Sequence, residues 1–420
     1  MYLNGLSIKL RCLKCFSSFS TDPLLFLCPK CRLPLEVKIR FSGGIDWASI
    51  RGRPLGVWRY RELLPLPKGA EVVTMGEGGT PLIKSVGIAR EYGVTNLHFK
   101  FEGSNPTGSF KDRGMTLAVS LAKYLGFKAV VVASTGNTSA SAAAYARRAG
   151  LKCVVVLPKG KVAKGKLAQA ILYGADIVEV EGAFDVALEA VIESVMELGT
   201  AYPLNSFNPW RLEGQKTIAY EIYDQLGFIP DNVVVPVGNA GNISAIWKGF
   251  KELRELGVVS KLPRMYGVQA KGASPLVKLW GRGGESLIPE ESPETVATAI
   301  RIGKPINWLK ALRAVNESGG AFVSVTDEEI LQAQRELARL DGLATEPAGA
   351  ASVAGVKKLI NQGFIERDEV TVAVITGHGL KDPDSMASCS VRVITTSSLD
   401  EAVSTIMKLC GGGQHGGTEG

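Results

Sequence analysis

Alternating strand and helix patterns predict an α/β fold: two open, mostly parallel α/β domains preceded by a small cysteine-rich unit. Three observations carry this. Runs of β-branched residues, apolar on both faces, recur along the chain and read as central parallel strands. Segments with apolar residues at helical spacing lie between them. Four cysteines crowd into the first 31 residues.

The expected strands are 36–41 in the cysteine-rich unit, then 129–133, 153–157, 176–181, 232–237, 265–269 and 370–375, with a last one at 391–397. Expected helices are 139–149, 184–198, 215–226 and 399–410. A further helix runs from Thr326, which opens a capping box with Glu329, to about residue 339. The expected division is a ribbon at 1–41, a large domain from 42–85 and 205–410, and a small domain at 86–204. Residues 42–46 read as a linker and the Gly-rich tail 411–420 as disordered.

Composition narrows the function. Of 420 residues, 45% are hydrophobic and 21% charged, which excludes bulk disorder. Glycine is high, at 48, and falls in short clusters where backbone must turn or approach a ligand. The formal net charge is +7, without a block of five or six basic residues, so no nucleic-acid partner is expected. No stretch reaches the ~18 apolar residues of a membrane span. The first residues lack an apolar core with a cleavage site, so a cytoplasmic protein is expected.

Cys12, Cys15, Cys28 and Cys31 form two CxxC knuckles. That spacing aims four thiolates at one point, as in a closed, structural zinc site. Redox-active or vestigial cysteines are the alternative.

Residues 102–115 read EGSNPTGSFKDRGM. Lys111 follows a turn-rich stretch and opens a helical run, where the helix dipole disfavours added positive charge. A neutral amine there suits Schiff-base chemistry. Residues 134–139 (STGNTS) follow a strand and open an Ala-rich helix, a junction whose free N–H groups bind anions. Ser134 or Thr135 alone would also serve as a plain helix cap. Gly238, Asn239, Ala240, Gly241 and Asn242 follow another strand, and such small residues let backbone amides wrap a phosphate.

The string SNPTGSFKDRG resembles the cofactor-lysine motif of pyridoxal-phosphate enzymes of the tryptophan-synthase-β fold type, also called fold type II. More narrowly, the chain resembles the threonine synthase family over residues 70 to 390. The resemblance implies that Lys111 holds pyridoxal phosphate covalently, with Phe110 beside it. It implies Asn137 on the cofactor's 3-hydroxyl, residues 238–242 around its phosphate, and Thr376 at its pyridine nitrogen. Ser134, Thr135 and Thr138 would meet the substrate carboxylate. NSFNPWRLEGQK at 205–216 resembles the family's string for the phosphate of O-phosphohomoserine, so Asn205, Ser206 and Arg211 become donors, with Asn239 and Thr138 added. ATAIRIG at 297–303 is a further family-like string. His378 reads as lining its turn.

The implied reaction turns O-phospho-L-homoserine and water into L-threonine and phosphate, with a small phospho-amino acid as partner in a homodimer. β-Replacement on O-phosphoserine is the nearest rival, since it needs the same phosphate pocket. A serine/threonine dehydratase does not need that pocket. A ribbon-based binding protein would not need an intact lysine site. Arg211 has its own alternative, pairing with Glu213.

Overall fold

The computed structural model describes residues 2–3, 6–41, 45–160, 164–182, 184–199, 201–387 and 393–410. Four antiparallel strands form the ribbon: β1 (Tyr2–Leu3), β2 (Leu6–Arg11), β3 (Ser18–Phe19) and β4 (Glu36–Arg40), all paired through β2. The chain then lays down β5 (Leu82–Lys84), β6 (Leu97–Phe101), β7 (Ala129–Ala133), β8 (Lys152–Pro158), β9 (Asp176–Val180) and β10 (Ala201–Pro203). Four more follow: β11 (Asn232–Pro236), β12 (Arg264–Ala270), β13 (Phe322–Val325) and β14 (Thr371–Ile375). One sheet is parallel, in the order β10-β7-β8-β9. The other runs β13-β12-β11-β14-β6-β5, parallel except for the edge strand β5.

β11 shows why continuous apolar runs mark this fold. Val233 and Val235 enter one core, with the helices Thr217–Leu226 and Gly241–Glu255. Val234 enters the other, with the helices Asp327–Asp341 and Pro347–Asn361. Both faces are covered, so no position along the strand is left for a polar face. The capping box at Thr326 and Glu329 is formed.

Four expectations need adjustment. β6 lies within the expected small domain, yet it pairs with β14 in the six-stranded sheet, with Leu97 and Phe99 in that sheet's core. The helix expected from residue 215 starts earlier: Asn208 caps a helix Pro209–Gln215, and Thr217–Leu226 follows it. Residues 393–397 form no strand, and 391–392 lie outside the described residues; Val393 is exposed and Ser397 instead bonds Glu401. Of the expected linker, 42–44 lie outside the described residues, while Asp46 caps the helix Trp47–Arg51. The tail 411–420 also lies outside them.

The chain divides into a unit Met1–Ser385 and a unit Met386–Gly420, the latter carrying the helix Leu399–Cys410. Among the described residues, no helix is long and apolar enough to cross a membrane.

Two features of the first unit position the site. A buried ion network anchors the helix Lys111–Tyr124. Arg113 Nε lies 2.6 Å from Glu102 and its Nη1 2.7 Å from Glu221, and Lys100 reaches Glu221 at 2.7 Å. The two carboxylates raise the Arg113 pKa well above its usual value against the desolvation that would lower it. The second feature is a glycine contact between this helix and Pro209–Gln215. A Cβ on Gly214 would sit 1.8 Å from the carbonyl oxygen of Arg113, and one on Gly114 2.9 Å from that of Arg211. Only two glycines allow this approach.

Gly214→Ala is therefore expected to destabilise by about 3 kcal/mol or more, because backbone must move. Gly281→Ala, with nothing within 4 Å of the new methyl, is expected to stay within about 0.5 kcal/mol of wild type. Urea unfolding of both variants checks this.

Candidate active site

The two sheets and the ribbon converge on a cleft of ≈ 2720 Å³. A drug-sized ligand needs roughly 300–1,000 Å³, so there is room for a cofactor and a substrate together. The end of β14 zips onto the lysine loop: Phe110 N–H donates to Thr376 O at 3.2 Å and His378 N–H to Gly108 O at 2.9 Å. Lys111 is the first residue of its helix. Asp112 fixes that turn by accepting from Thr107 N–H at 2.7 Å and Thr107 Oγ1 at 2.6 Å, and it also takes the Ser141 hydroxyl.

The Lys111 amine lies 4.2 Å from the centroid of the Phe110 ring. Its pKa is lowered to about 7, first by desolvation and then by the positive charge of Arg211, with Glu346 opposing. The amine is thus half neutral near pH 7.

Arg211 is 2% exposed. Its Nε has no partner among the described residues, and burial lowers its pKa to about 10. The alternative pairing with Glu213 is not made. Glu213 bonds Lys216 at 2.8 Å and Lys248 besides.

All the expected cofactor and substrate residues line the one cleft: Phe110, Lys111, Ser134, Thr135, Asn137, Thr138, Asn205, Ser206, Arg211, Gly238, Asn239, Ala240, Gly241, Asn242 and Thr376. Asn205 brings less than expected. Its amide clasps the end of β7, accepting from Ala133 N–H at 3.0 Å and donating to Ala133 O at 2.9 Å. It therefore sets the 134–138 loop against Ser206. Ser134 Oγ accepts from Gly136 N–H and Ser139 N–H, both at 3.3 Å, so the plain cap and the open loop coexist. His378 does not line the cleft; its Nδ1 accepts from Leu380 N–H at 3.1 Å within the turn.

Two charged residues were not anticipated. Glu346 accepts from Asn137 Nδ2 at 2.8 Å, and burial raises its pKa. Lys381 lines the cleft and donates to Thr107 O at 3.1 Å. Glu346 directly precedes Pro347, the first residue of a small-residue helix, and that Glu-Pro junction was the available signal.

Pyridoxal phosphate fits these residues. Ala240 takes a left-handed conformation, with φ 64°, just before the helix Gly241–Glu255, whose first N–H groups have no intrahelical partner. Both amide atoms of Asn242, and the hydroxyl of Ser109, are buried without a partner among the described residues. Such orphans suit a polar group that enters the cleft.

The four cysteines also converge. Their sulfurs all lie within 4.8 Å of one another. The knuckles repeat one geometry: Phe16 and Arg32, each directly after a knuckle's second cysteine, are left-handed, with φ 58° and 56°. Hydrogen bonding to Ser17 lowers the Cys15 thiol to about 6, while burial raises Cys31 to about 12. All four are free thiols, a donor set suited to a tetrahedral soft metal.

Residues 73–377 match the model of the family described as "Pyridoxal-phosphate dependent enzyme". The threonine synthase of Methanocaldococcus jannaschii is 52% identical, over 91% of this chain and 95% of that protein. The threonine synthase of Methanosarcina acetivorans is 51% identical, over 93% and 96%. The one from Mycobacterium bovis is 52% identical over 78% and 88%. Among solved structures, tomato (Solanum lycopersicum) threonine deaminase isoform 2 aligns with a TM-score of 0.62 at 24% identity, over 73% of this chain and 86% of its own. Maize serine racemase aligns with a TM-score of 0.60 at 22%, over 79% and 92%. At these identities the two structures speak for the fold alone. With the Lys111 amine inside this cleft, the family match over residues 73–377 and the half-identical synthases lead to one conclusion: the chain belongs to the pyridoxal-phosphate dependent enzymes and, within them, to the threonine synthase family.

Proposed function

We propose that the chain converts O-phospho-L-homoserine and water to L-threonine and inorganic phosphate. One observation carries this reading: Arg211, a buried guanidinium whose Nε has no partner among the described residues, lines the cleft that also holds the Lys111 amine. A dehydratase has no use for it.

Pyridoxal phosphate, when bound, supplies the electron sink that makes an amino acid's α-proton acidic. The chain's own residues do the rest. Gly238 to Asn242 offer backbone N–H groups to the cofactor's phosphate. Asn137, held by Glu346, faces its 3-hydroxyl. Thr376 offers a neutral hydroxyl to its ring nitrogen. Phe110 packs beside the amine and keeps water from it. The N–H groups at the start of the helix Asn137–Ala149, with Ser134, Thr135 and Thr138, bind the substrate carboxylate. Arg211, Ser206 and Asn239 bind its phosphate, and Asn205 sets the two anion sites at a fixed spacing.

Lys111 Nζ takes the α-proton, gives it up and, neutral again, takes one proton from Cβ, so that the Cγ–O bond breaks and phosphate leaves. It gives that proton to Cγ, which becomes the methyl carbon; water then adds its oxygen at Cβ, its other proton passes to the phosphate, and Lys111 Nζ returns a proton to Cα before threonine departs. In the cofactor-free cleft the pKa of that amine is lowered to about 7, which favours the neutral form that can act as a base.

We further propose zinc at Cys12, Cys15, Cys28 and Cys31, a homodimer, and a cytoplasmic location. The closed thiol cluster supports the first and the free cysteines the last. The commonness of two-fold assemblies supports the dimer.

Product analysis is the primary test. The holoenzyme should release phosphate and form threonine from O-phosphohomoserine, and should be far slower on O-phosphoserine; the reverse preference sinks the reading. Lys111→Ala should lose both turnover and the visible absorbance of bound cofactor.

Arg211→Met should raise the KM for the phosphorylated substrate about 100-fold, within the cost of truncating one partner of a buried charged contact. It also carries a pH prediction. In cofactor-free protein the Lys111 amine is protonated below about 7, so cofactor uptake should rise with pH through about 7. Removing the Arg211 charge, which helps lower that pKa, should move the midpoint upward.

Metal analysis should find zinc in the purified chain. Cys28→Ser should lose it, with a lower Tm.

A further inference from the structure

The ribbon is fastened to the segment that carries the proposed phosphate ligands. Three ties make the contact. Trp210, one residue before Arg211, donates its indole N–H to Pro23 O at 3.2 Å. Phe26 meets Phe207 edge-on at 6.0 Å and Tyr202 at 5.6 Å. Lys310, buried, donates to Leu35 O at 2.9 Å and to Asn307 Oδ1 at 3.0 Å. Asn307 then donates its side-chain N–H to Ser206 O at 2.9 Å and its backbone N–H to Asn239 O at 3.2 Å. A fourth link is ionic: Lys248 bridges Val37 O of β4 and Glu213, which lies on the Arg211 helix.

The ribbon also fronts the cleft itself. Leu13 and Lys14 of the first knuckle, and Arg32 and Leu33 after the second, line the same cavity as Arg211. Cys12, Phe26 and Cys28 share a core with Phe207 and Trp210. An appended module would not bury its side chains with the residues that flank a ligand.

We propose that the ribbon is the outer wall and positioning clamp of the substrate-phosphate subsite. These ties support Ser206 and Arg211 on the ribbon side, and a small displacement of such ligands costs binding steeply. Lys310, Trp210 and Phe26 are positioning residues; they act through Ser206, Asn239 and Arg211. The inference rests on the reading of 205–211 as a phosphate site.

The test uses the holoenzyme and two variants, Trp210→Phe, which keeps a ring but loses its bond to Pro23, and Lys310→Met. Inorganic phosphate is the binding probe. The KM for O-phosphohomoserine and the phosphate Kd should rise together, about 5- to 10-fold, the effect of a lost hydrogen bond or two. The kcat should stay within about twofold, and the cofactor's absorbance should not change. Leu337→Ala, a core truncation in the helix Asp327–Asp341, should lower Tm without moving either constant. A wild type that does not bind phosphate, or an unchanged phosphate Kd in both variants, overturns the proposal. Failure of the wild type to turn over O-phosphohomoserine counts against the function instead, since phosphate binding can still be compared.

Discussion

A guanidinium held out of water without a carboxylate is the constraint around which the substrate side of this cleft is built. Arg113 and Arg211 are both almost wholly buried, on helices in glycine-to-backbone contact. Their environments are opposite. Arg113 is saturated by Glu102 and Glu221. Arg211 meets no acid among the described residues, and desolvation lowers its pKa. A buried cation without an anion is costly, and a flexible side chain would normally turn to water. Here the close helix contact, the Asn208 cap and the ribbon fix the helix that carries it, and the side chain lines the cleft. An anion that entered the cleft beside it would be bound favourably.

The same logic extends to Lys111. The charge of Arg211 and the loss of water both press its amine toward neutrality. One feature therefore serves two ends in the proposed reaction: the cation proposed to meet the substrate's phosphate also presses the Lys111 amine toward its neutral form. Glu346 offsets this in part, and its bond to Asn137 keeps it on the far side of that amide. The network of Arg113, Lys100, Glu102 and Glu221 lies in the same unit, with every charge paired. The GEGG string at 76–79 joins that network, since Gly79 N–H donates to Glu221 at 2.8 Å and Glu77 takes the Tyr145 hydroxyl at 2.6 Å.

Much of this was legible in the sequence, for identifiable reasons. Central strands such as β7 and β11 are apolar on both faces, which no amphipathic helix imitates. Loops at strand ends with small residues were readable from the string alone, and the residues at 111, 134–138 and 238–242 do line one cleft. What stayed hidden depends on contacts between distant segments. β6 carries Lys100, whose partner Glu221 sits on the helix Thr217–Leu226, so nothing local to β6 told which sheet it would join. Asn205 could not reveal that its amide clasps Ala133. Glu346 looked like an ordinary helix-start acid. The ribbon read as a detachable zinc unit because cysteine spacing reports the metal and nothing about what the ribbon touches.

The order of strands in the large sheet has a consequence for biosynthesis. β14 sits between β11 and β6, and the residues after it hold the Lys111 loop through Phe110 and Gly108. A chain emerging from the ribosome presents the lysine early, long before Thr371 to His378 exist to close the sheet behind it. Such non-local pairing is intrinsically late in folding. The reactive amine gains its shielded setting only when nearly all of the first unit has been made. A half-made chain is thus denied the chemistry of the finished one, and capture of the cofactor becomes a sign that translation of this unit has run to its end.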